Sequence, residues 1–174
     1  MEVILGLAIL GMLCWWSIIL LPWRPWSTRE KLEVTDKAEG FLASQSSLSD
    51  ITVLIPARNE SAYVGRTLQA VNKQGSGLRI ILIDDQSMDD TALQAKAGGA
   101  EVLSGSTPPP GWSGKLWALE QGLKKVQTPY TLLLDADIEL SPRIGHALLQ
   151  TAQSEKGALV SLMASPPRMN FIER

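Results

Sequence analysis

Three acidic clusters stand at the ends of short apolar runs. Asp135-Ala136-Asp137 follows Thr131-Leu132-Leu133-Leu134. Asp84-Asp85 follows Ile80-Ile81-Leu82-Ile83. Arg58-Asn59-Glu60 follows a run from Ile51 that is stopped at Pro56-Ala57. Two carboxylates one residue apart suit a hard divalent cation, because Mg²⁺ or Mn²⁺ takes oxygen ligands and completes its shell with water and substrate phosphates. Such an ion neutralises charge developing on a leaving diphosphate. A D-x-D triplet alone is a common turn or helix cap; the apolar run before it favours metal. Asp84-Asp85 reads either as a turn capped through Ser87 or as a carboxylate for a nucleobase N–H or a ribose hydroxyl. Arg58 and Glu60 read either as a surface ion pair or as the rim of the same site. Lys115 follows Gly114 at a helix start, where a cation opposes the macrodipole and so points to an anionic ligand.

These groups meet only if the runs before them are neighbouring strands. The short stretches 51–55 (β-branched), 79–83, 100–103, 130–134 and 158–163 read as strands. Between them, helical spacing runs from a Ser61 cap to Lys73, from a Ser87 cap over 89–97 to Gly98-Gly99, over 115–126, and from Pro142 to Ser154. Strands alternating with helices predict an α/β layered sheet, largely parallel. In such a sheet, ligands bind beyond the carboxyl ends of the strands, where the clusters fall.

The N-terminus has a different character. Val3 to Leu21 carries no charge, and about 19 helical residues span roughly 29 Å, the thickness of a bilayer core. Glu2 precedes the run and Pro22-Trp23-Arg24-Pro25-Trp26 follows it, which suits a retained anchor with an aromatic belt better than a cleaved signal peptide. Arg24, Arg29, Lys31 and Lys37 all follow the span, so the positive-inside rule puts the rest of the chain in the cytoplasm. Three parts are expected: a transmembrane anchor at 1–22, a juxtamembrane connector at 23–49 and a catalytic-type domain from 50 to 174. A net charge of −2 argues against nucleic acid as a partner. Cys14 is the only cysteine, which excludes an intrachain disulfide, and the lone His146 reads as a helix-surface residue.

Four segments in order, VLIPARNE (Val53–Glu60), LIDDQSMDDT (Leu82–Thr91), GKLWALEQG (Gly114–Gly122) and LLLDADIEL (Leu132–Leu140), resemble the family 2 glycosyltransferases. PPPGWSGKLWALEQG, the DADI and LVSLM are similar to the hopene-associated membrane members of that family. The resemblance implies a GT-A (Rossmann-like) nucleotide-binding domain that takes a nucleotide-sugar donor, UDP-linked, and a lipid acceptor of hopanoid type. It also implies that Pro56, Ala57, Arg58 and Glu60 border the nucleotide, with Asp85 on the base and Asp84 in support. Lys115 would approach the diphosphate, Asp135 would contact the ribose or sugar side, and Asp137, with Asp135, would hold Mg²⁺ or Mn²⁺. Glu120 departs from the Asn usual in the family. Trp112 and Trp117 read as core or loop anchors rather than sugar platforms.

Inverting transfer also needs a base for the acceptor hydroxyl. The family draws it from beyond the metal triplet, and no candidate for it is found here; Asp89, Asp90 and Glu139 lie in other motifs. The expectation is therefore an N-terminal, donor-binding part of a longer enzyme. Two rival readings are a non-catalytic nucleotide-binding protein and a nucleotidylyltransferase. The latter would want a glycine-rich loop after the first strand, and 56–61 contains no glycine.

Overall fold

The computed structural model describes residues 2–20, 47–154 and 159–162, in two compact units split between Glu33 and Val34. The first unit contains helix α1 (Glu2–Leu20), whose Val3–Leu20 stretch is long and apolar enough to cross a membrane. Its one hydroxyl is satisfied within the helix, Ser17 Oγ donating to Leu13 O at 2.8 Å. The basic flank and the tryptophans at 23 and 26 lie outside the described residues.

The second unit is an α/β sheet domain of the GT-A type. A 3₁₀ turn (Leu48–Asp50) leads into β1 (Ile51–Ala57), followed by α2 (Val64–Asn72), β2 (Arg79–Asp84) and α3 (Thr91–Ala97). Then come β3 (Glu101–Ser104), α4 (Gly114–Leu123), β4 (Tyr130–Leu133) and α5 (Ile144–Ser154). The strands lie in the order β3-β2-β1-β4 and every pair is parallel, as the alternation of strands and helices predicts. Leu48 is already buried, its N–H donating to Ser76 O at 3.1 Å. A fifth strand was expected over 158–163. Leu159–Leu162 carry no strand, and Ala158 and Met163 lie outside the described residues.

A parallel sheet with helices on both faces must bury both sets of alternating side chains, which is why its central strands β1 and β2 are buried almost throughout. Val53, Ile55, Ala57, Ile80 and Leu82 face one layer, where Val64, Leu68 and Val71 of α2, Ala95 of α3 and Leu149 of α5 cover them. Leu54, Ile81 and Ile83 face the other layer and meet Ala118 of α4. α4 packs so closely that a Cβ on Gly122 would stand 2.7 Å from Ile83 Cδ1 and 3.3 Å from Leu54 Cδ2. This seating is what aims the N-terminus of α4 at the carboxyl ends of β1 and β2.

Two caps differ from expectation. α2 starts at Val64 with Tyr63 as its cap, and α3 at Thr91 with Asp90; neither cap residue's side chain bonds to the helix. The Ser61 N–H and the Ser87 hydroxyl are instead used between loops. α5 likewise begins at Ile144, after Arg143 in the left-handed region (φ 65°), and Gly145 N–H donates to the buried Gln74 Oε1 at 3.0 Å.

Candidate functional site

The carboxyl ends of β1, β2 and β4 open into a cleft of about 480 Å³. Pro56, Ala57, Arg58 and Glu60 line it from the end of β1 and Asp85 from the end of β2. Gly114, Lys115 and Ala118 come from α4, and Asp135, Ala136 and Asp137 follow β4. Of the expected site residues, only Asp84 does not line the cleft. Its Oδ1 accepts from Ser87 N at 3.2 Å and so shapes the turn in which Gln86 takes φ 61°. Sequence reasoning passed over Gly114, Ala118 and Ala136, which bring no functional group but leave the space.

Backbone continuity sets the positions of the acids. Asp85 N–H donates to Ala57 O at 2.8 Å, extending the β1–β2 ladder one step beyond Asp84. Leu134 N–H donates to Leu54 O at 3.0 Å and carries β4 into the triplet. Ala136 is buried between two exposed aspartates, and its carbonyl accepts from the buried Thr67 hydroxyl of α2 at 2.7 Å. The middle residue therefore anchors the triplet while both carboxylates face solvent.

Each cation of the cleft pairs with an acid from another element. Lys115 Nζ lies 2.7 Å from Asp135 Oδ1, and Arg58 Nη1 lies 3.7 Å from Asp85 Oδ2. Arg58 thus pairs across the cleft rather than with Glu60. Asp85 is the most enclosed of these side chains, at 10% exposure against 63% for Arg58 and more than half for Lys115 and Asp135. A Cβ on Gly114 would stand only 2.7 Å from Asp85 Oδ2, so glycine is the residue that lets α4 approach this carboxylate. Ser113 caps that end, its Oγ accepting from Leu116 N.

Behind the front wall, the loops after β1 and β2 are joined side chain to backbone. Asn59 N–H donates to Ser87 Oγ at 2.9 Å, Glu60 N–H to Thr91 Oγ1 at 2.8 Å and Ser61 N–H to Asp89 Oδ2 at 3.1 Å. Met88 N–H returns a bond to Asn59 Oδ1 at 2.8 Å, and Asn59 takes φ 56° to make it. Asp89 Oδ1 also accepts from the Thr91 N–H and hydroxyl. Hydrogen bonds from Thr91, its hydroxyl foremost, and from Ser61 hold the Asp89 carboxyl well below the usual carboxylate range. Trp112 and Trp117 meet edge to face at 5.4 Å, and Trp117 Nε1 donates to Ser106 Oγ at 3.1 Å, fastening the loop before α4. Glu120 pairs with Lys124 at 3.5 Å.

The donor set suits a hard divalent cation shared with a ligand. No group of three or more His, Cys, Asp or Glu converges as a cage among the described residues. The exposed carboxylates of Asp135 and Asp137 are the groups that could hold such an ion, which would take its remaining ligands from phosphate and water.

The model of the family described as Glycosyl transferase family 2 matches residues 52–172. A 4,4'-diaponeurosporenoate glycosyltransferase of Staphylococcus haemolyticus (strain JCSC1435) is 32% identical over 131 residues, covering 74% of this chain and 33% of that protein. One of Staphylococcus aureus (strain MRSA252) is 34% identical over 113 residues, 63% of this chain and 30% of its own. The chain thus spans about a third of the length of these relatives. Among solved structures, glucosyl-3-phosphoglycerate synthase of M. tuberculosis superposes with a TM-score of 0.52 at 23% identity, over 71% of this chain and 46% of that one. The same synthase in complex with Mn²⁺, uridine-diphosphate and phosphoglyceric acid gives 0.52 at 24% identity, over 72% and 45%. At these identities the likeness is one of fold.

Proposed function

From the premise that the chain belongs to glycosyl transferase family 2, we propose that its sheet domain binds the nucleoside diphosphate of a UDP-linked sugar donor together with a divalent metal. The observation that carries this reading is the convergence of Asp85, Lys115, Asp135 and Asp137 on one cleft at the carboxyl edge of a parallel sheet. Asp85, enclosed and negatively charged, accepts from the N–H of the base, and Arg58 and Glu60 border the nucleotide. Lys115 turns from Asp135 toward the diphosphate. Asp137 is the direct metal ligand, with Asp135 beside it. A bound Mg²⁺ or Mn²⁺ supplies positive charge against the departing diphosphate. A protein of like fold solved with Mn²⁺ and uridine-diphosphate supports this choice of metal and base.

We assign the described residues of the cleft to the donor half of the reaction. The family resemblance implies that the base for the acceptor hydroxyl comes from beyond the metal triplet, so Glu60, Asp85, Asp135 and Asp137 of the cleft are assigned to the donor and its metal. We propose a lipid acceptor met at the cytoplasmic face of the cell (inner) membrane, with α1 as a single-pass anchor. The apolar length of α1 supports the anchor, and the resemblance of the 108–122, 135–138 and 159–163 segments to hopene-associated members supports a hopanoid-type acceptor. The relatives are named for a different acceptor, 4,4'-diaponeurosporenoate, so offering both acceptors with labelled UDP-sugar decides between them.

Titration calorimetry with UDP, with and without Mn²⁺, tests the donor site. Mn²⁺ should strengthen UDP binding by tenfold or more, on the order of a metal–phosphate contact, and Asp137→Ala should abolish that gain. Equal UDP affinity with and without metal, or an unchanged gain in the variant, defeats the metal assignment.

A further inference from the structure

Three successive amides, those of Asn59, Glu60 and Ser61, lie beside the cleft at the end of β1, where a loop could offer its N–H groups to phosphate. None of them is available. Each donates to a side chain of the segment from the end of β2 to the first residue of α3: Ser87, Thr91 and Asp89 respectively. Asp89 is the centre of this arrangement, since one oxygen takes Ser61 N–H and the other takes both Thr91 groups. Thr91 is fully buried, so its hydroxyl oxygen is held where it meets Glu60 N–H.

We propose that Asp89 and Thr91 are positioning residues: they fasten the loop after β1, fix Arg58 and Glu60 on the cleft wall, and leave the ligand's phosphates to Lys115 and the metal. This rests on the donor-binding reading of the cleft and extends it to residues that touch no ligand. Bonds to a fixed carboxylate and a buried hydroxyl restrain the loop more firmly than water-exchanging contacts would, because ionised acceptors bond about twice as strongly as neutral ones. The wall residues Arg58 and Glu60 then reach the ligand already ordered, which lowers the entropy lost on binding.

The test uses the full chain and three variants, Asp89→Asn, Thr91→Val and Thr91→Ser. Amide hydrogen exchange over 58–62 without ligand is read beside UDP affinity with Mn²⁺. Asp89→Asn turns a donor toward Ser61 N–H, and Thr91→Val removes the oxygen that holds Glu60 N–H. Each should speed exchange at 59–61 about tenfold and weaken UDP about tenfold, the scale of one lost charge-assisted or buried hydrogen bond. Thr91→Ser keeps the hydroxyl and should restore both. Asp89 is exposed, so Asp89→Asn remains readable even if Thr91→Val fails to fold. Unchanged exchange in Asp89→Asn overturns the clamp. Faster exchange with unchanged UDP affinity overturns its positioning role. If the parent binds no UDP, the donor reading fails and the positioning role with it, while exchange still decides whether the clamp exists.

Discussion

Replacing Gly114 by alanine sets two effects of opposite sign against each other. The new Cβ would lie 2.7 Å from Asp85 Oδ2, whereas ordinary contact begins at 3.4 Å, so the carboxylate must retreat by roughly 0.7 Å. Asp85 has little room: it is buried, with the Arg58 guanidinium 3.7 Å from its carboxylate. Alanine is meanwhile the better helix former, by up to about 1 kcal/mol in a helix interior and less at this first position. Folding should therefore hold or improve, with a melting temperature within about 4 °C of the parent or above it. Binding should suffer. A hydrogen bond to a charged acceptor contributes about 1.5–3 kcal/mol, or about 10- to 150-fold in affinity, and displacement rather than deletion of the carboxylate puts the loss near the lower end. UDP titration with Mn²⁺ and a thermal melt on the same sample read the two effects separately, with Asp85→Ala marking the full loss. A stable Gly114→Ala protein that binds UDP within about twofold of the parent would refute the placement of the base on Asp85.

The other predictions concern packing, charge and pH. Gly122→Ala meets Ile83 and Leu54 at 2.7–3.3 Å inside the core, and should lower stability by about 1–3 kcal/mol in denaturant melts, unlike Gly114→Ala at the other end of the helix. Lys115→Met frees Asp135 from its 2.7 Å partner. Mn²⁺ alone should then bind more tightly and UDP more weakly, by about 3- to 10-fold each, in calorimetry; a parallel change in both would count against the division of labour between them. Asp89 has a depressed pKa in the folded state. Its contribution is therefore complete above the unfolded carboxylate value of about 4 and is lost progressively as pH falls from there through the depressed folded value. Melts between pH 6 and 3 should fall more steeply for the parent than for Asp89→Asn, and parallel curves would contradict this.

Much of the fold can be read from local pattern, because a two-sided parallel sheet requires continuous β-branched runs. Ile51–Ile55 and Ile80–Ile83 admit no other exposed or half-exposed role. The acids at the ends of those runs were placed for the same reason, since strand ends in such a sheet share one edge. What escaped the sequence was the use of polar groups across long separations. Ser61 and Ser87 have the composition of helix caps, yet their N–H and hydroxyl serve bonds 28 residues apart in the chain. Local propensity cannot anticipate a partner on another strand's loop, so nothing in the sequence marked Asp89 for this role. The close approach of Gly114 and Gly122 was hidden likewise, because a glycine's spelling does not reveal what its missing side chain makes room for.

The order β3-β2-β1-β4 also bears on how the site comes into being. β1 finds β2 within about 27 residues (Thr52↔Arg79), but finds β4 only across about 79 (Thr52↔Thr131), and the longer closure is entropically dearer and slower. The wall carrying Arg58 and Asp85 can thus be assembled during synthesis well before the corner carrying Asp135 and Asp137. Metal responsiveness should accordingly emerge last in a refolding time course. A divalent ion with UDP present would act on that final docking step, drawing β4 and its triplet into register as the chain matures.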